Sequence, residues 1–153
     1  MLAFFLGAAL ALGGCARPPA VSTLESVQAV EGSASAFQVH PLPAAQGATL
    51  LALERAPRVQ PLRYRVIVVP GSGCAGMGAW ADRYFAGLLH AQVLVLHKRG
   101  VHPHARTAPG DCPASFVQSD ALSTWQADAQ VAVRAWQASL PGGDVLPTVL
   151  VGI

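Results

Sequence analysis

Between a run of apolar β-branched residues and Trp80 the chain reads Pro70-Gly71-Ser72-Gly73-Cys74-Ala75-Gly76. Glycines at this density let backbone N–H groups approach an anion closely, and the start of a following helix adds partial positive charge. Two chemistries use such a turn. Gly71, Gly73 and Gly76 spell G-x-G-x-x-G, the spacing that receives a dinucleotide pyrophosphate, and Lys98 and Arg99 follow where a ribose 2′-phosphate would need a cation. The same turn can instead offer the N–H groups of Ser72 and Gly73 to the oxyanion that forms when a carbonyl is attacked. The side chains nearby are weaker candidates. Ser72 sits between glycines with no base identifiable for it, and Cys74 as a thiol nucleophile has no sequence support of its own. His97, His102 and His104 carry imidazoles but no cysteine or carboxylate partner at ligand spacing, so neither metal nor organic cofactor is expected.

The elements that must position this turn are readable from periodicity. Residues 37–42 and 49–55 are strand candidates joined by a Pro43 to Gly47 turn, a plausible antiparallel hairpin. Residues 62–69 form a stronger strand whose end, Val66-Ile67-Val68-Val69, is apolar on both faces, as a central parallel strand must be. Pro70 cannot donate to a ladder and ends it. Apolar residues at three- and four-residue spacing predict a helix over 78–89 and another over 120–140, the latter with Leu122, Trp125, Ala129, Val133, Trp136 and Leu140 on one face. Trp80, Trp125 and Trp136 read as core anchors. Asp82 with Arg83, and Asp128 with Arg134, read as solvated helix surface. Residues 92–96 and 148–151 are further buried strands. Alternation of strand and helix predicts an α/β fold: a mostly parallel sheet with helices on both faces and an N-terminal antiparallel hairpin.

The chain's 153 residues allow one domain with a real core, and 52% apolar against 12% charged residues excludes a disordered chain. A net charge of +2 with scattered basic residues excludes a nucleic-acid partner. Residues 2–12 are an uncharged apolar run, too short to span a bilayer and right for a signal peptide. It closes on Leu12-Gly13-Gly14-Cys15, which resembles the bacterial lipobox; no Lys or Arg precedes it, which fits a start codon further upstream. The expected organisation is a signal peptide over 1–15, a flexible tether over 16–36 rich in Ala, Ser, Pro and Val, and a domain over 37–153. Lipidated Cys15 would hold the exported protein on the membrane, facing the periplasm. In that compartment the remaining cysteines, Cys74 and Cys112, are expected to form a disulfide.

Order and spacing add a family resemblance. A hairpin, a parallel strand ending in PGSG, a helix, a strand ending in His97-Lys98-Arg99-Gly100, a second helix and a strand ending in Val151-Gly152-Ile153 resemble the first half of an α/β-hydrolase. Pro70 stands where that family often has His, and His97 where it often has Asp. The resemblance implies an oxyanion loop at Ser72 and Gly73. It also implies that Gly152 is the first glycine of the G-x-S-x-G elbow, with the nucleophile just after Ile153 and the acid and base later still. The chain would then be the inactive N-terminal part of a membrane-anchored serine hydrolase acting on a small acyl or ester substrate. Two alternatives stay open: a surface lipoprotein using the same fold only for binding, and a dinucleotide-binding domain.

Overall fold

The computed structural model describes residues 35–108, 110–141 and 145–153. The expected signal peptide, Cys15 and nearly all of the tether lie outside the described residues. No helix among the described residues is long and apolar enough to cross a membrane.

Five strands form one sheet: β1 (Gln38–Pro43), β2 (Thr49–Arg55), β3 (Tyr64–Val69), β4 (Ala91–Val95) and β5 (Thr148–Gly152), in the order β1-β2-β4-β3-β5. β1 pairs with β2, and β2 with β4, antiparallel; β4–β3 and β3–β5 are parallel. The expected hairpin is present, with a 3₁₀ turn (Ala45–Gly47) in its loop. The sheet is mixed rather than mostly parallel, because β2 enters the middle of the order against its neighbours.

Successive side chains of a strand face opposite sides, so the doubly apolar runs feed two cores. Val66, Val68, Val93 and Val95 pack with Leu53, Phe37, Ala81 and Phe85 on one face. Ile67, Leu94 and Leu96 pack with Leu42, Leu50, Ala132 and Trp136 on the other. The first face is covered by α1 (Ala81–Tyr84) and its flanking turns, the second by α3 (Leu122–Ser139); α2 (Ala114–Ser119) lies in the connection between β4 and α3.

Several expectations need correction. The helix expected over 78–89 is a single turn, α1. Its N-terminal extension is lost because Gly76 and Gly78 donate to the carbonyls of Ala105 and Pro103, which holds them in a loop-to-loop contact. Trp80 is not a core anchor: it is 48% exposed, while Trp136 is fully buried and Trp125 packs partly against the core. Leu122, at the first turn of α3, is exposed. Asp128 is buried, not solvated. β5, expected to be buried, leaves Val149 and Leu150 exposed on opposite faces of the sheet, at an outer edge that no described strand pairs with.

Polar side chains tie the layers together. Asp128 on α3 accepts from Arg99 Nε at 3.1 Å and Nη2 at 2.7 Å, and from the Ala45 N–H at 3.1 Å. That carboxylate raises the Arg99 pKa and fastens the hairpin turn and the segment after β4 to one helix. Glu54 Oε1 accepts from Trp136 Nε1 and Gln92 Nε2, both at 2.8 Å. Arg55, at the end of β2, donates to the carbonyls of Phe85 and Leu88, which also accept the backbone N–H groups of Leu88 and Ala91, and so ties β2 to the turns that follow α1.

Candidate functional site

β3 and β5 run parallel in register, Val69 opposite Gly152. Their carboxyl ends therefore reach the same sheet edge, where open parallel sheets bind ligands. The Ile153 N–H donates to the Val69 carbonyl at 3.1 Å, and a Cβ on Gly71 would stand 2.8 Å from the Ile153 carbonyl oxygen. Only glycine permits that approach. Gly73 has φ +125°, a conformation that L side chains rarely adopt. The turn is thus shaped by two glycines with distinct reasons.

A cavity of about 580 Å³ opens at this edge, lined by Pro70 to Gly73, Met77, Trp80, Tyr84, Phe85, His97 and Ile153 among others. Gly71, Ser72 and Gly73 are exposed to it, and among the described residues the N–H groups of Ser72 and Gly73 have no hydrogen-bond partner. Ser72 Oγ has no base beside it among the described residues. The structure therefore brings together two features that are 80 residues apart in the chain: the glycine turn and the Gly152-Ile153 end of β5.

The other face of the turn is closed. Gly76 leaves no room for a Cβ because the Pro103 and His102 carbonyls occupy that place, and the Gly78 position is filled by the His104 ring. Cys74 is bonded to Cys112 with Cα atoms 5.6 Å apart, as expected, and the pair packs with Val101 and Phe116. For a dinucleotide this geometry is unsuitable. The third glycine of the motif meets the protein's own backbone rather than a pyrophosphate, and the four-residue α1 begins five positions later. The downstream cations are also engaged: Lys98 Nζ lies 2.7 Å from Asp120, and Arg99 is held by Asp128.

His97 is the residue whose role the sequence left unread. Two residues beyond β4 it is 1% exposed, and its Nε2 accepts the Met77 N–H at 3.0 Å. Nε2 must then be the unprotonated nitrogen and Nδ1 the protonated one. Burial pushes its pKa down to about 4, helped by the charges of His104 and His102 and opposed by the backbone of Leu51 and Val95. A neutral imidazole thus anchors the segment that follows the glycine turn. The periodic signal that could have found it is its place directly after a doubly buried strand. His102 and His104 rings lie 5.8 Å apart, and no group of three or more His, Cys, Asp or Glu among the described residues is arranged to hold a metal.

No family model matches this chain, and no curated protein matches it. Solved structures do. A hypothetical protein from Pseudomonas aeruginosa aligns at 16% identity with a TM-score of 0.47, over 76% of this chain and 35% of its own. Acetyl xylan esterase 1 from a Thermoanaerobacterium species aligns at 14% identity with a TM-score of 0.47, over 78% of this chain and 41% of its own. The chain thus spans well under half the length of either protein.

Proposed function

We propose that the chain is the N-terminal part of a serine hydrolase that cleaves an ester or related acyl bond. The observation that carries this reading is one cavity lined both by Ser72 and Gly73, whose N–H groups have no partner among the described residues, and by Ile153 just past the end of β5. In this reading the residue following Ile153 is the nucleophilic serine, on the sharp turn that leaves β5. Its Oγ attacks the acyl carbonyl while a histidine from a later part of the protein takes the proton, and the resulting oxyanion is held by the turn's N–H groups. Expulsion of the alcohol leaves an acyl-enzyme that water then hydrolyses. Loss of one oxyanion donor typically lowers the rate about 10²–10³-fold. Residues 1–153 without serine and base are inactive. His97 takes no part in proton transfer in this reading, since it is buried and its Nε2 already accepts the Met77 N–H. Lipidation of Cys15 and a periplasm-facing membrane anchor belong to the same proposal.

The test is the coding sequence after the Ile153 codon, followed by labelling of the encoded protein. An in-frame Ser-x-Gly whose serine takes up an uncharged fluorophosphonate, with labelling abolished by its replacement with Ala, supports the reading. An open frame without that serine overturns it and leaves a binding module with this fold.

A further inference from the structure

Beside the first cavity lies a second of about 520 Å³, and Ala75 and Trp80 line both. Its character is different. Arg83, Arg106 and His104 contribute to its walls, together with Gly76 and Thr107. Among the described residues neither Arg83 nor Arg106 has a carboxylate partner.

The wall that carries His104 and Arg106 is fixed in place. Gly76 donates to Ala105 at 2.9 Å, Gly78 to Pro103 at 2.7 Å, and Ala105 to His102 at 2.9 Å. The bare Cα of Gly78 admits the His104 ring, and the Cys74–Cys112 bond ties the same turn to the far end of the connection. Two guanidinium groups that pair with no carboxylate among the described residues, on a held loop and on α1, beside an aromatic wall, are suited to an anion carried on an apolar body.

We infer that this second cavity binds the carboxylate or phosphate of an organic acid, with the acid's apolar part against Trp80. Binding of the anion does not depend on the hydrolase reading. Resting on that reading, it gives the substrate class: an ester with an acidic group on the portion that lies past Trp80 from the scissile bond.

The experiment uses the chain at sub-micromolar concentration and follows quenching of its tryptophan fluorescence by 4-nitrobenzoate, 4-nitrophenyl phosphate and the neutral 4-nitrobenzamide. The expected result is half-saturation by at least one anion about tenfold or more below that of the amide, since a hydrogen bond to a charged group is worth about that factor. Arg83→Gln and Arg106→Gln should each raise the anion's half-saturation about tenfold and leave the amide's unchanged; both residues are exposed, and circular dichroism checks that the variants stay folded. Whichever anion binds tighter identifies the group, carboxylate or phosphate. Equal response to the anions and the amide overturns the inference, as does an unchanged anion response in the double variant. Fluorophosphonate labelling of the longer protein uses an uncharged probe, so failure of this subsite and failure of the hydrolase reading give separate results.

Discussion

Lowering the pH from 7.5 to 4 should destabilise this fold through one histidine. His97 is held neutral by burial, with a pKa of about 4 against an ordinary 6.5. Between those values the unfolded chain binds a proton that the folded chain refuses, so stability rises with pH across that window. The contribution is fully present above pH 6.5, falls as the pH drops toward 4, and changes no further below it. At roughly 1.4 kcal/mol per unit, the depression corresponds to about 3 kcal/mol, a sizeable share of a typical domain's stability of about 5–15 kcal/mol. The local event is specific. A protonated Nε2 would point a donor at the Met77 N–H, which is also a donor, and the segment after the glycine turn would lose its anchor. The control is His97→Gln, whose amide oxygen can stand near the Nε2 position and accept the same N–H without titrating. Urea unfolding of both proteins at several pH values separates this group from the carboxylates they share. The wild type should lose about 3 kcal/mol more than the variant between pH 7.5 and 4. Stability profiles that run parallel across that range would show that His97 does not carry this pH dependence.

Three further outcomes follow from the packing. Replacing Cys74 and Cys112 by Ser opens a loop with a sequence separation of 38, and chain entropy puts the loss at about 4 kcal/mol; thermal melting with and without reductant checks it, and the variant should be indifferent to reductant. Trp136→Ala should cost about 3–5 kcal/mol for a buried aromatic, whereas Trp136→Phe keeps most of the volume and loses chiefly the 2.8 Å bond to Glu54, a smaller effect readable in the same melts. The outer edge of β5, which pairs with no described strand and leaves Val149 and Leu150 exposed on the two faces beside it, should drive concentration-dependent association of the chain; sedimentation velocity should show Leu150→Lys reducing it, and a monodisperse wild type at high concentration would contradict this.

The local patterns in the chain determined a good deal. Runs such as Val66 to Val69 specify strands buried on both faces, because β-branched apolar residues without a polar alternate have no solvent side. The three- and four-residue spacing of Trp125, Ala129, Val133 and Trp136 specifies α3, and Gly71, Ser72 and Gly73 specify a turn with exposed N–H groups. Periodicity, however, reports which face of an element is apolar, not what that face will meet. Gly76 and Gly78 gave no sign that their N–H groups would be taken by residues 103–105, which is what shortens α1 to one turn and leaves Trp80 at the cavity wall. Asp128 looked like helix surface until the strand order brought Arg99 and Ala45 to it, and Glu54 and Trp136 meet across 82 residues for the same reason. His97 acquired its anchoring role only because the fold brings the segment after β4 within hydrogen-bond reach of the Met77 N–H. Such contacts depend on the order β1-β2-β4-β3-β5, which is settled by packing both sheet faces at once. No local stretch contains that information, so the turn was legible in the sequence, while the two cavities it borders exist only in the folded chain.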